Sequence, residues 1–187
     1  MVVQPTEMDK AIANAIASRT TPALEQAANL LTWGADEKVV IALAISGWLY
    51  AKRRPALRPV TNHLLVVSVL AAVLPHLLKR EVDQTRPDRL TVKGRRRGIP
   101  VSGRARDSFP SGHALHMGAL ASAAGLLPSR PRTVLRGLTI ALSATRVLLL
   151  AHWASDVVIG FAAGALMERL LRPITLRSRK QASAGDP

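Results

Sequence analysis

The chain has 187 residues, a length that suits one domain, and no cysteine, which excludes disulfides, thiolate nucleophiles and cysteine-held zinc. Lysine and arginine number 26 against 12 aspartate and glutamate, giving a formal net charge of +14, a surplus typical of proteins that bind nucleic acid, anionic lipid or phosphorylated substrates. Aromatic residues make up only 3% of the chain, too few for the stacking platforms of single-strand binders, so no nucleic acid partner is expected.

The N-terminal region predicts two short amphipathic helices within residues 5–34, separated at Thr21-Pro22. They could lie at a bilayer interface or pack on the rest of the protein, and the sequence leaves both alternatives open. Acidic residues and Lys10 in the first ten positions, with no long apolar core behind them, argue against a cleavable signal peptide.

Five apolar segments follow, with the charges clustered in short blocks between them. Hydrophobic residues make up 48% of the chain, and this distribution is the pattern of a polytopic membrane protein. Crossing ~30 Å of hydrocarbon takes ~20 helical residues, so several segments are slightly short. The segments are 35–52, 59–78, 111–127, 134–151 and 155–171.

These segments predict an all-α fold, a polytopic membrane helix bundle with about five transmembrane helices. Residues 1–21 are expected to form an amphipathic segment, 22–172 the membrane-embedded domain and 173–187 a basic, flexible tail. Small residues at four-residue spacing predict close helix packing, because they let backbones approach within lipid. They are Ala114, Gly118 and Ser122 on the third segment, and Gly160 and Gly164 on the fifth.

The residues that could carry chemistry fall where these segments end. If the second segment ends on the face where the third begins, that face holds 79–108 and the turn before the fifth segment. Lys79 and Arg86 would then lie on one side of a continuing helix, which Pro87 would stop. The two faces carry similar numbers of cations, so the positive-inside rule alone does not orient the chain.

Three further features share this face. Arg146 stands in an apolar run, and a charge there marks a functional site by default. His152 and Asp156 are four residues apart, so the carboxylate can reach the imidazole and fix its tautomer. Ser111 and Gly112 open a helix whose free N–H groups suit an anion, although Ser111 could simply be a helix cap.

Phosphate is the ligand that needs such a set of groups. Guanidinium groups bind its oxygens in pairs, one histidine can attack phosphorus, and a second, His113, can protonate the leaving oxygen. No carboxylate cluster of the kind that holds Mg²⁺ is apparent in the sequence, so the cations would stabilise charge in place of a metal.

The combined pattern resembles the three-part signature of the type-2 phosphatidic acid phosphatase family, over residues 79–156 and in the family's order. Thr145 departs from it, since the family has serine before the arginine, but a hydroxyl is kept. The three parts are Lys79-x₆-Arg86-Pro87, Pro110-Ser111-Gly112-His113 and Arg146-x₅-His152-x₃-Asp156.

The resemblance implies a role for each residue. His152 would be the nucleophile that forms a phosphohistidine, Asp156 would orient it, and His113 would be the general acid. It also implies no metal or other cofactor, and a site that opens to the periplasmic face of a bacterial inner membrane. The phosphoryl oxygens would be bound by Lys79, Arg86, Ser111, Gly112 and Arg146.

Two features stay open at this stage. The basic loop 88–108 could be a solvated surface near anionic headgroups, or Arg95, Arg96 and Arg97 could engage a second phosphate of a diphosphate substrate. His116, one turn beyond His113, could assist or merely pack.

The expected function is hydrolysis of a lipid phosphate or diphosphate, such as polyprenyl diphosphate, phosphatidate or phosphatidylglycerol phosphate. The alternative is a non-catalytic basic membrane scaffold that binds anionic lipid. The sequence does not predict an oligomeric state.

Overall fold

The computed structural model describes residues 1–90 and 104–177, which form eight α-helices and no strand, so the all-α prediction is confirmed for this part of the chain. Short 3₁₀ turns, Trp33–Ala35 and Ala124–Leu126, follow α2 and α6. The helices are α1 (Glu7–Arg19), α2 (Pro22–Thr32), α3 (Glu37–Ala51), α4 (Arg58–Glu81), α5 (Pro87–Leu90), α6 (Gly112–Ala123), α7 (Ser129–Leu148) and α8 (Ala154–Arg177). Arg95, Arg96 and Arg97 lie outside the described residues.

Each of the five apolar segments is helical, in α3, α4, α6, α7 and α8, and α8 continues past residue 172 to Arg177. Side-chain contacts show which ends lie together. His76 near the end of α4 is 3.6 Å from Glu37 at the start of α3. At the opposite end, Glu168 of α8 accepts a hydrogen bond from Ser122 of α6 and lies 2.9 Å from His63 of α4. The helices therefore alternate in direction, and the ends of α4 and α7 share one end of the bundle with the starts of α6 and α8.

Helices α6 and α8 cross with their backbones in direct contact at glycine. A Cβ added to Gly118 would lie 1.9 Å from the Phe161 carbonyl oxygen, and one on Gly164 would lie 1.9 Å from that of Leu115. Gly160 approaches the Ser111 carbonyl in the same way, with a Cβ distance of 2.6 Å. The predicted close packing is present, and it fixes the start of α6 against the first turns of α8.

The predicted continuation of α4 to Arg86 is wrong. The helix ends at Glu81, and the next residues run alongside 105–108, with Arg86 N donating to Ala105 O (3.0 Å) and Ser108 N to Gln84 O (3.1 Å). Pro87 begins α5 instead of ending a helix. Proline suits the first position of a helix, because the backbone N–H of that residue has no partner within the helix and its absence costs nothing. Pairing between the two chain segments satisfies backbone groups that a longer helix would have used.

The N-terminal helices pack on the bundle, which is one of the two alternatives that the sequence left open. Helix α1 buries Ala13 and Ala17 against Leu150 and Trp153. Helix α2 also turns one face inward, with Ala28 packed against Leu149 and Ala151. Its buried residues are Glu25, Ala28 and Thr32, whereas Leu24, Leu30 and Leu31 are exposed.

The outer surface of the bundle is rich in large apolar side chains. Monomeric soluble proteins seldom expose contiguous apolar patches of more than a few hundred Å². Among the described helices, α4 alone combines the length and the apolar composition that are usual for a bilayer span. The exposed apolar residues on four of the long helices include Leu43, Leu49, Val66, Val69, Val73, Leu77, Val134, Leu138, Ile140, Val158, Leu166 and Leu170.

Candidate active site

His152 lies in the tight connection between α7 and α8. Helix α7 ends at Leu148, and the chain reverses through Leu150, whose φ of 53° lies in the left-handed region. The backbone N–H groups of Ala151 and His152 both donate to the Arg146 carbonyl, at 3.1 and 3.3 Å. This wrapped turn buries the His152 side chain to 3% exposure and places it beside the last turn of α7.

The tautomer of His152 follows from its hydrogen-bond partner. Its Nδ1 lies 2.6 Å from the Ser108 carbonyl oxygen, which can only accept, so Nδ1 carries the proton. The lone pair of the neutral ring is therefore on Nε2. That is the tautomer needed for an Nε2 nucleophile.

Asp156 reaches His152 through Ser108. The distance from Asp156 Oδ2 to His152 Nδ1 is 3.9 Å, too long for a hydrogen bond. The same oxygen instead accepts from Ser108 Oγ at 2.6 Å and from Trp153 N at 3.0 Å. Ser108 thus binds the carboxylate with its hydroxyl and the imidazole with its carbonyl. No sequence motif pointed to it.

His152 is neutral at the pH of most cells. Burial, and then the positive charges of Arg86, Arg146 and Lys79, hold the pKa of this imidazole well below its ordinary value. A neutral ring keeps the Nε2 lone pair available for attack.

Arg86 and Lys79 are brought together by Asp107, which belongs to none of the three motifs. Arg86 Nε donates to Asp107 Oδ1 at 2.8 Å and to the Arg104 carbonyl at 3.0 Å. Its Nη1 donates to the Ala151 carbonyl at 2.8 Å, which ties the guanidinium to the His152 turn. Lys79 Nζ lies 3.8 Å from Asp107 Oδ2. The 82–86 segment therefore puts both cations at the site although they are not on one helix.

Arg146 approaches from the last turn of α7. Its Nη1 donates to Thr32 Oγ1 of α2 at 3.3 Å. Its Nε is buried and has no hydrogen-bond partner among the residues that the structure describes. A buried, unpaired guanidinium donor is costly, and an anion would satisfy it. The hydroxyl of Thr145 donates to the Leu142 carbonyl of its own helix at 2.6 Å.

The start of α6 closes another side of the site. Ser111 Oγ accepts from Ala114 N at 3.4 Å, so this side chain is a helix cap, as the plainer interpretation held. Gly112 and His113 form the first turn, where backbone N–H groups lack intrahelical partners and the helix dipole is positive. His116 Nδ1 lies 3.2 Å from the Gly112 carbonyl and His116 is buried, which fits a packing role.

One set of cations acts on both histidines. The electrostatic environment of His113 includes Arg146, Lys79 and Arg86, and that of His152 includes the same three charges. The structure therefore brings the three sequence motifs into one site. Among residues 1–90 and 104–177, no group of three or more His, Asp or Glu side chains could hold a metal ion.

Three cations that act on two histidines, together with a helix N-terminus, form a set of groups that suits a phosphate, on a helical bundle. The sequence model of the PAP2 superfamily matches residues 60–180, and this chain belongs to that superfamily.

Two curated relatives are similar over part of the chain. A lipid A 1-phosphatase of Rhizobium johnstonii is 40% identical over 104 residues, which are 55% of this chain and 43% of that protein. A lipid A 1-phosphatase of Rhizobium etli is 40% identical over 103 residues, 54% of this chain and 44% of that protein. The matched region thus spans less than half of the length of these relatives.

Two solved structures share the fold. Aquifex aeolicus LpxE superposes with a TM-score of 0.67 at 18% identity, covering 91% of this chain and 98% of that one. A transmembrane PAP2-type phosphatidylglycerolphosphate phosphatase of Bacillus subtilis gives a TM-score of 0.68 at 23% identity, covering 92% and 87%.

Proposed function

We propose that this protein is a membrane phosphatase that hydrolyses a lipid phosphate through a phosphohistidine, without a metal ion. The observation that carries the proposal is the 2.6 Å contact between His152 Nδ1 and the Ser108 carbonyl. Because a carbonyl only accepts, this contact leaves the lone pair on Nε2, which would be the nucleophile, and Lys79, Arg86 and Arg146 act on the same ring.

In the first step the Nε2 lone pair attacks phosphorus, and the bond from phosphorus to the lipid oxygen breaks. His113 donates a proton to that leaving oxygen, and the lipid departs as an alcohol. In the second step water attacks the phosphohistidine, His113 takes a proton from the water, and the N–P bond breaks to release inorganic phosphate. The three cations and the α6 N–H groups stabilise the negative charge on the phosphoryl oxygens in both steps.

The membrane setting is supported by the exposed apolar residues of α3, α4, α7 and α8. We propose that these four helices and α6 cross the bilayer, as five spans in a bacterial inner membrane. The bundle end opposite the site carries aromatic and basic residues that suit a lipid headgroup region, with Lys52 Nζ 4.3 Å from the Trp48 ring centroid and Arg54 4.6 Å from that of Tyr50. That end would face the cytoplasm and the site the periplasm.

The substrate would be a lipid with a phosphate at the edge of a large polar headgroup. A cavity of about 330 Å³ lies beside Lys79, lined by charged residues that include Arg80, Asp83, Arg104 and Arg106. Such a lining suits hydroxyl and phosphate groups more than acyl chains. The similarity to lipid A 1-phosphatases makes lipid A 1-phosphate the first substrate to test.

The test is phosphate release in detergent from lipid A, phosphatidylglycerol phosphate, phosphatidate and polyprenyl diphosphate. We expect release from at least one of them, inhibition by vanadate, no effect of EDTA and loss of activity in His152→Ala. His76→Ala is the matched control, because His76 lies at the same end of the bundle but is 69% exposed. Full activity of a folded His152→Ala variant, or abolition by EDTA, would refute the mechanism. Salt-sensitive binding of anionic lipid without any phosphate release would favour the scaffold alternative.

A further inference from the structure

Asp9 is a buried carboxylate that the phosphatase mechanism does not use. It lies in the first turn of α1, with 3% of its surface exposed. Its Oδ1 accepts from Ser155 N at 2.9 Å and its Oδ2 from Ser155 Oγ at 2.8 Å. Burial alone would raise the pKa of Asp9, but hydrogen bonds from Ser155 and Thr6 outweigh it and lower the pKa below its ordinary value. The carboxylate is therefore charged, and it is bound to the first turn of α8.

Ser155 needs an acceptor from outside its own helix. Helix α8 begins at Ala154, so Trp153 stands at the position whose side chain normally accepts from the second or third backbone N–H. An indole has no acceptor, and the Trp153 Nε1 donates to the Thr85 carbonyl at 2.8 Å. Asp156, in the third helical position, accepts from Trp153 N and not from Ser155 N. Asp9 thus supplies the cap that Trp153 cannot.

The rest of the N-terminal segment contacts two parts of the site, the turn around His152 and the stretch before Arg86. Ala13 and Ala17, one and two turns after Asp9, pack on Leu150 and Trp153, which flank the His152 turn. Before α1, the Val3 N–H donates to the Asp83 carbonyl at 3.0 Å, and the Asp83 N–H donates to the Met1 carbonyl at 2.8 Å. The segment therefore contacts both the turn that holds His152 and the stretch that leads to Arg86.

We propose that Asp9 is a positioning residue for the nucleophile: by capping Ser155 it holds the first turn of α8, and with it the Asp156–Ser108–His152 arrangement. Asp156 is the next residue after Ser155, and it binds the Ser108 hydroxyl whose own carbonyl holds the His152 ring. This inference rests on the proposed function for its catalytic consequence, but not for the bracing itself.

The test compares Asp9→Ala and Asp9→Asn with Glu7→Ala in the full-length protein. Glu7 is the matched control, since it is an acid in the same first turn but its side chain is 90% exposed. Amide hydrogen exchange over 150–156 measures whether Asp9 stabilises this segment. The steady-state kinetics of phosphate release measure the effect on catalysis. Thermal unfolding of each variant sets a temperature at which all of them are folded.

In Asp9→Ala we expect faster exchange in 150–156 and a kcat about 10-fold lower, because small displacements of a nucleophile have large effects on rate. KM should stay within about twofold, since phosphate is bound by cations on other elements. Asp9→Asn keeps an acceptor for Ser155 N and should recover part of kcat, and Glu7→Ala should match wild type.

Wild-type exchange and kcat in a folded Asp9→Ala variant would overturn the inference. A loss of kcat without faster exchange in 150–156, or equal losses in Glu7→Ala, would also overturn it. If the wild-type protein releases no phosphate from any substrate, the proposed function fails, and the exchange comparison alone decides whether Asp9 braces the turn.

Discussion

Ser108→Ala tests the central geometric finding, that Ser108 connects Asp156 to His152. The substitution removes the hydroxyl that donates to Asp156 Oδ2 at 2.6 Å but keeps the backbone carbonyl that holds His152 Nδ1. Trp153 N remains as a donor to the carboxylate, whereas Asp156 Oδ1 has no hydrogen-bond partner in the described part of the chain. The Asp156 carboxylate would therefore keep the hydrogen bond from the Trp153 N–H and lose the one from Ser108, which connects it to His152.

The magnitude follows from the type of bond. A hydrogen bond to a charged group contributes about 1.5–3 kcal/mol, and about 1.4 kcal/mol corresponds to a tenfold change in rate. If all of it were lost from the transition state, kcat would fall between about 10-fold and about 150-fold. The bond already exists before attack, so part of the loss will appear as lower stability. We expect the lower end, about 10-fold, because kcat falls only by the part of this bond that strengthens as positive charge develops on His152 during attack.

The assay is phosphate release in detergent with saturating substrate, together with the melting temperature of each variant. Ser143→Ala is the control: Ser143 is a buried serine whose hydroxyl donates to the Thr139 carbonyl of its own helix at 2.8 Å and not to Asp156. An unchanged kcat in Ser108→Ala would refute the connection. An equal loss of kcat in Ser143→Ala would show that any buried serine has this effect.

Two further predictions concern stability. Gly164→Ala should lower the free energy of unfolding by about 1–3 kcal/mol or more, because the added Cβ would meet the Leu115 carbonyl. Gly137→Ala is the control and should be neutral or stabilising, because nothing lies within 4 Å of its added Cβ. Equal melting temperatures of the two variants would contradict this prediction. Burial and nearby cations hold the pKa of His152 well below its ordinary value. Below about pH 6.5 the unfolded chain therefore binds a proton at His152 that the folded protein does not bind. The effect of His152 is thus to lower the stability of the folded protein as pH falls. His152→Asn, which can still donate to the Ser108 carbonyl, should therefore lose less melting temperature than wild type between about pH 7.5 and about pH 5.5, and an equal loss would count against the assignment.

The sequence predicted those parts of the fold that depend on local pattern. Apolar runs of helical length gave the five long helices, and glycine spacing gave the α6–α8 contact, because both are properties of single helices. The path of the chain at Arg86 could not be predicted in this way. Its pairing with 105–108 joins segments about twenty residues apart, and no local preference specifies such a partner.

The same distinction applies to the site. His152, His113 and the three cations carry charge or protons, so their residue types reveal them in the sequence. Ser108, Asp107 and Asp9 were missed because serine and aspartate are common in loops and at helix starts. Each acts here through a partner distant in sequence: Ser108 binds Asp156, and Asp9 binds Ser155 across 146 residues. Only the folded structure distinguishes them from ordinary polar residues.

Arg86 and Arg146 are not equivalent in this arrangement. Arg86 is bound to Asp107, to the Arg104 carbonyl and to the Ala151 carbonyl, so its position is fixed before a phosphate arrives. Arg146, by contrast, has a buried Nε without a partner among the described residues. A fixed guanidinium beside the nucleophile needs little reorganisation during the reaction, which is the condition under which a charge lowers a barrier most. An unsatisfied donor gains most from binding the anion. Arg86 therefore fits transition-state stabilisation and Arg146 fits capture of the phosphate.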